Sequence, residues 1–328
     1  VLGRRCRVLV GVLAALVLAG CSAREPAGGQ AAPDTDGGRF PVTVSTGQGE
    51  VTIPARPKRV VALGYGDVDT VVALGVAPVA VSKDFYSPDG IPAWLAGQLD
   101  PARTTVLDIA QGAPIERIAA LRPDLIVATS ALSLTDSYQR LSALAPTIMG
   151  LPGEGDNMDR RTMLIGEALG KEDAARVALE QTNRRIDQVP EAIPGLRGKT
   201  YAYGYVRAAD DIGLVTAKNG FTGRLFSRWG MNVVPALADA PVTPAGYTQI
   251  SRERVGDLDG DLLVLGYVND GLRGSLEASP LFQKLNVVRG GHYTAISQSV
   301  TVALQVPSIA NVGWVLDQLQ PFLSRSFR

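Results

Sequence analysis

Two glutamates, Glu116 and Glu253, hold the same place in a pattern that the chain carries twice. Residues 116–127 read Glu116-Arg117-Ile118, then Leu121, Pro123 and Asp124-Leu125-Ile126-Val127. Residues 253–264 read Glu253-Arg254-Val255, then Leu258, Gly260 and Asp261-Leu262-Leu263-Val264. Each copy predicts a short helix stopped by Pro or Gly, followed by an apolar run fit for a buried parallel strand. Pro114 precedes one helix and Ser251 is the expected cap of the other. An acidic residue in a first helical turn also offsets the helix dipole. The equivalence of the two sites points further, to a two-lobed chain that presents one carboxylate per lobe.

A second set of side chains could hold a ligand. In open α/β sheets, ligands sit beyond the carboxyl ends of the strands. That rule selects Tyr65 after the first strand, Phe85, Tyr86 and Trp94 after the second, Tyr205 and Arg207 at the end of the run Tyr201–Arg207, and Tyr267 after Leu262–Gly266. Aromatic walls with an arginine bind through stacking, hydrogen bonds and charge. Tyr65 and Arg207 lead this set. Trp229 and Trp314 stand at core-like spacing with Leu225 and Leu316 and read as packing.

The elements that must position these residues alternate between strand and helix, which implies a parallel sheet in each lobe. Phe40–Val44 and Glu50–Ile53 flank a Thr46-Gly47-Gln48-Gly49 turn and predict a hairpin. Arg59–Leu63 reads as a buried strand, Val68–Leu74 as a helix and Val76–Val81 as a strand. Residues 156–189 are rich in helix formers and predict one long helix, or two joined near Gly170. A second lobe starts near Lys199, with a helix over Phe221–Trp229 and a last helix ending near Phe322. The expected division is 1–20 signal, 21–39 tether, 40–155 N-terminal lobe, 156–189 linking helix and 190–328 C-terminal lobe. The fold class is α/β: two lobes, each with a mainly parallel sheet flanked by helices, joined by one long backbone helix.

The N-terminal segment carries an address. Arg4, Arg5 and Arg7 precede an apolar run from Val8 to Leu18, too short to span a bilayer comfortably, and Leu18-Ala19-Gly20-Cys21 follows. This ending resembles the bacterial lipobox, which implies cleavage before Cys21 and lipid on its thiol. Cys6 and Cys21 are the only cysteines, so the expected mature domain has no disulfide and no thiolate metal site. Cleavage removes three arginines and no acid from a chain with 32 basic and 32 acidic residues, leaving three net negative charges. That balance argues against nucleic acid as a partner. Residues 22–39, rich in Gly, Ala, Pro and Asp, read as a flexible tether.

Other chemistries fit less well. His292 is the only histidine and no His/Cys cluster exists, which argues against direct iron or zinc coordination. Gly64-Tyr65-Gly66 imitates a dinucleotide fingerprint, but Asp69 stands where the third glycine belongs. No nucleophile elbow, phosphate-binding loop or cluster-type cysteine set is present.

Several blocks together resemble the ABC-transporter substrate-binding lipoproteins of the ferric-siderophore, haem and cobalamin type, the class III periplasmic binding proteins. They are Ile53-Pro54 with Arg56-Pro57-Lys58-Arg59-Val60-Val61, then Asp69 and Ala73-Leu74-Gly75-Val76-Ala77-Pro78-Val79, Ile115–Ile126, and Leu144-Ala145-Pro146-Thr147. With Tyr65, they look especially like actinobacterial iron-siderophore-binding proteins. The resemblance runs from about residue 40 to the C-terminus. It implies a non-enzymatic, monomeric protein with no intrinsic cofactor, held to the outer face of the cytoplasmic membrane. Its ligand would be a ferric siderophore, with haem (on His292 or a tyrosine) or cobalamin as alternatives; a secreted enzyme on a related two-lobed fold is the remaining alternative reading. It also implies that Glu116 and Glu253 dock onto arginines of an ABC permease whose separate ATPase subunit drives transport.

Overall fold

The structure is a computed structural model that describes residues 39–151, 157–215, 220–243 and 247–327. The signal, nearly all of the tether and the Cys21 lipidation site lie outside the described residues. Among the described residues, no helix is long and apolar enough to cross a membrane.

Val44, Thr46, Val51 and Ile53 are buried while Thr43 and Thr52 face out, an alternation that makes β1 (Val42–Thr46) and β2 (Gly49–Ile53) an antiparallel hairpin. Near-continuous apolar runs then build a five-stranded, all-parallel sheet in the order β5-β4-β3-β6-β7. Its strands are β3 (Val60–Ala62), β4 (Ala80–Ser82), β5 (Thr105–Leu107), β6 (Leu125–Ala128) and β7 (Thr147–Met149). The expected strand at Val76 starts only at Ala80, since Pro78 has no N–H for a ladder. The helix after β3 begins at Tyr65, three residues earlier than expected, because Gly64 accepts the first hydrogen bonds.

The C-terminal lobe carries β8 (Thr200–Ala208), β9 (Asp211–Leu214), β10 (Asn232–Val233), β11 (Thr248–Ile250), β12 (Leu262–Tyr267) and β13 (Tyr293–Ile296). They run in the order β11-β9-β8-β12-β13, with β10 also on β8. β8, β10, β12 and β13 are parallel, whereas β9 and β11 form an antiparallel edge.

Between the lobes, the helical stretch breaks at Gly170. Helix Met158–Leu169, capped by the Asn157 side chain, ends where Gly170 turns to φ 66°, and helix Glu172–Ala192 continues. The two helices pack closely enough that a Cβ on Gly166 would lie 2.5 Å from that of Ala175. The linker is therefore two rods joined at a glycine, with one 21-residue helix leading into the C-terminal lobe. One contiguous apolar cluster, including Ile165, Ile186 and Leu316, runs from one lobe to the other.

The doubled pattern folds equivalently in its strands and differently in its helices. Asp124 accepts hydrogen bonds from the Lys58 and Arg59 amides, each at 2.8 Å, at the head of β3 beside β6. Asp261 accepts from the Thr200 amide at 2.8 Å, its hydroxyl at 2.9 Å and Lys199 Nζ at 3.2 Å, at the head of β8 beside β12. Residues Ile115–Ala120 form an α-helix, but Arg252–Leu258 is a 3-10 helix with Gly256 inside it. Ser251 does not cap it through its side chain; Asp210 instead accepts from the Arg252 amide at 2.8 Å.

Partial burial opposes the charge of Asp261, yet the Thr200 and Lys199 donors win and hold its carboxyl below the usual range. Its contribution is thus present above the unfolded value and lost as pH falls through the lower folded one. Asp261→Ala is expected to cost about 1–2 kcal/mol at neutral pH, toward the low end because the site is part-exposed. Urea melts should show the gap between variant and parent narrowing below about pH 4.

Candidate ligand-binding cleft

The carboxyl ends of the two sheets carry the candidate residues. On the N-terminal wall, Asp84 is buried and organises the loop after β4. Tyr65 Oη donates to Asp84 Oδ1 at 3.0 Å, the Tyr86 amide to the same oxygen at 3.2 Å, and Ser87 Oγ to Oδ2 at 2.5 Å. This anchor leaves Phe85 and Tyr86 about half exposed, at 49% and 48%, with Lys83 Nζ 5.5 Å from the Phe85 ring centre. Burial and the adjacent Asp84 carboxylate push the Tyr65 phenol well above its ordinary value, so it stays a neutral donor.

On the C-terminal wall, alternation along β8 puts Tyr203, Tyr205 and Arg207 on one face. They line a cavity of about 350 Å³ with Phe221, Tyr247 and Gln305. Arg207 pairs with Asp211 at 2.7 Å and lies 3.9 Å from the centre of the Tyr247 ring. Gly213 of β9 makes room for that stack, since a Cβ there would come within 3.3 Å of Tyr247 and 3.5 Å of Arg207. Tyr205 Oη donates to Gln298 at 2.8 Å, and Gln298 donates to the Tyr267 and Val268 carbonyls. Burial raises the Tyr205 phenol above its ordinary value, against the opposing effect of its hydrogen bond to Gln298.

Of the seven predicted ligand residues, Tyr205 and Arg207 line the C-terminal cavity, while Tyr65 and Tyr86 meet at Asp84 on the N-terminal lobe with Phe85 exposed between them in sequence. Trp94 belongs to neither group. It is 6% exposed, its ring packs 5.5 Å from that of Trp314, and its Nε1 donates to Asp69 at 2.7 Å. Tyr267 turns into the core of the C-terminal lobe, where its hydroxyl meets that of Tyr293 at 2.8 Å; only its carbonyl serves the cleft, by holding Gln298. His292 sits at the head of β13, the opposite end of the sheet, with Nδ1 3.1 Å from the Asp261 carbonyl and its ring against Phe327. That placement removes it as an axial ligand for haem in this cleft. Trp229 is buried and donates to the Ile186 carbonyl, a packing role, as Trp314 has beside Trp94.

Sequence reasoning missed Tyr203, Phe221, Tyr247 and Gln305. Tyr203 was visible in the period-two run with Tyr205 and Arg207. Tyr247 reaches the site through the antiparallel edge of β9 and β11, which a rule about parallel strand ends does not search.

Glu116 and Glu253 are exposed, each in the first turn of its helix. Arg140 approaches Glu116 at 3.8 Å, a solvent-exposed pair that contributes little and can be exchanged for another cation.

This geometry has relatives. An iron(III)-citrate-binding protein of Bacillus subtilis is 27% identical over 285 residues, covering 85% of each chain. An iron(III) dicitrate-binding periplasmic protein of Escherichia coli is 28% identical over 253 residues, covering 76% of this chain and 80% of its own. The crystal structure of a periplasmic solute-binding protein from Mycobacterium smegmatis superposes with a TM-score of 0.76 at 29% identity, covering 88% of this chain and 99% of that one. The family profile of the periplasmic binding proteins matches residues 60–299, most of both lobes and the helices between them. The chain belongs to the periplasmic binding protein family.

Proposed function

We propose that this chain captures a ferric siderophore or related iron chelate in the cleft between its lobes and delivers it to an ABC permease. The observation that carries this reading is the C-terminal cavity lined by Tyr205, Arg207 and Tyr247, for which the Asp84-anchored Tyr65, Phe85 and Tyr86 supply the opposite wall in this reading. Neutral phenols, ring faces and one guanidinium suit an oxygen-rich, bulky chelate. The relatives that bind ferric citrate support the same cargo class. The role is binding, not catalysis. The protein acts as a monomer outside the cytoplasm, anchored by lipid on Cys21, and offers Glu116 and Glu253 to the permease.

Intrinsic fluorescence of the full chain, titrated with ferric citrate and with ferric catecholate, hydroxamate and mixed siderophores, tests this. Saturable, submicromolar quenching by one class is the expected result; no response across the panel from folded protein refutes it. Arg207→Met is expected to weaken that binding about tenfold or more, the scale of one charge-assisted hydrogen bond. An unchanged affinity would remove Arg207 from the site.

A further inference from the structure

Behind the cleft, two aspartates and an arginine are wholly buried where three parts of the chain meet. Asp67 and Asp69 stand on the helix that Tyr65 begins. Arg161 stands on the interlobe helix Met158–Leu169. The third part is the segment 306–311, which joins the last two helices of the C-terminal lobe.

Asp69 is the centre of the cluster. Its Oδ1 accepts from Trp94 Nε1 at 2.7 Å, while Oδ2 accepts from Ser308 Oγ at 2.6 Å and Asn311 Nδ2 at 3.0 Å, across 239 and 242 residues of chain. Ser308 and Asn311 lock each other, the Ser308 amide donating to Asn311 Oδ1 at 2.9 Å and the Asn311 amide to Ser308 Oγ at 3.0 Å. Arg161 donates to the Pro307 carbonyl and attracts both carboxylates. Asp67 takes up Thr129 and Ser130 just past the end of β6. The fit is close: a Cβ on Gly66 would fall 2.4 Å from the Arg161 guanidinium carbon.

Each arm of the cluster leads to one wall of the cleft. Tyr65 is four residues, about one turn, before Asp69 on the same helix. Leu304 and Gln305, immediately before the 306–311 segment, line the C-terminal cavity, and the Leu304 carbonyl accepts from Thr222 at 3.0 Å. Buried polar networks specify one geometry because any displacement strands a partner in a dry interior.

We propose that Asp69 is a positioning residue that, through Ser308 and Asn311, fixes the Tyr65 wall of the cleft relative to the Gln305 wall. It touches no ligand. Its effect on binding is indirect: with the joint loosened, the walls sample several separations and the chelate meets the fitted one only part of the time. The ligand half of this statement rests on the proposed function, but the geometric half does not.

The test uses the full chain with Cys6→Ser and Cys21→Ser, spin-labelled at cysteines introduced at exposed Asp89 and Asp270, one on each lobe. Pulsed electron resonance then reads the interlobe distance without ligand. The parent should give one narrow distribution. Asp69→Asn, which keeps side-chain volume, should broaden it and lower affinity for ferric citrate or ferrioxamine B, whichever the parent binds, by about fivefold or more. Ser308→Ala, a milder change, should do the same to a smaller degree, and it decides the matter alone if Asp69→Asn does not fold. Circular dichroism verifies folding. Unchanged distributions in folded variants, or weaker binding without broadening, would overturn the proposal. If the parent binds neither chelate nor any panel member, the proposed function fails, while the distances still judge the joint.

Discussion

Arg161→Met is expected to destabilise the fold by about 3–5 kcal/mol, because it removes one partner from a buried charged network. Methionine keeps the apolar stem, so the loss isolates the guanidinium. Arg161 is 0% exposed, as are Asp67 and Asp69, and without it both carboxylates lose their compensating charge. In the native chain, burial already raises both aspartates, Asp69 to about 7, despite the donors and Arg161 that favour the anion. A carboxyl raised on folding favours the native state most below its unfolded value near 4, and that benefit fades as pH rises through the folded one. Deleting Arg161 raises both groups further and widens the window. Urea melts should therefore show the variant's deficit shrinking from pH 8 to pH 5, as the orphaned carboxylates protonate. A deficit that is small, or equal at both pH values, would mean that Arg161 serves as packing alone.

Replacing both Glu116 and Glu253 by alanine should reduce chelate uptake by cells more than tenfold while affinity for the chelate stays unchanged. Neither residue lies on the cleft walls. Both are exposed in the first turn of helices that the doubled pattern sets beside equivalent strands. A permease arginine meeting such a carboxylate forms a charge-assisted, bidentate pair that orients as well as attracts. With one pair on each lobe, losing both removes the orientation and not merely one contact. Each single variant should retain part of the activity. Full uptake by the double variant, at matched protein levels, would refute the docking role.

Much of this architecture was legible because short-range chemistry writes it. The hairpin showed in the Thr46–Gly49 turn between two strand-like runs, a join near Gly170 was one of the two readings of the linking stretch, and the two lobes showed in the repeated Asp-Leu-apolar-Val runs. What stayed hidden depended on partners distant in sequence. Trp94 looked like a loop aromatic until Asp69 and Trp314 took it into the core. Tyr267 looked like a residue just past a strand end, but it is the last residue of β12 and its hydroxyl pairs with that of Tyr293 in the core. Ser251 was displaced as a cap by Asp210, which belongs to a turn 41 residues earlier in the chain. Tyr247 depended on an antiparallel edge that four-residue β9, with its Gly213, barely announces.

The repeated aspartate also bears on how the sheets assemble. β3 reads Val-Val-Ala, β6 Leu-Ile-Val-Ala, and both are buried on each face, so a slip of one residue would exchange one apolar side chain for another at little cost. Side-chain pattern therefore cannot police their alignment. Asp124 can, since a slipped β6 would release two backbone amides and a carboxylate at once. Asp261 adds the same pin for β8 against β12, where the alternation of β8 already distinguishes its two faces. In each lobe a single carboxylate acts as a registration pin, making misaligned strand pairings short-lived.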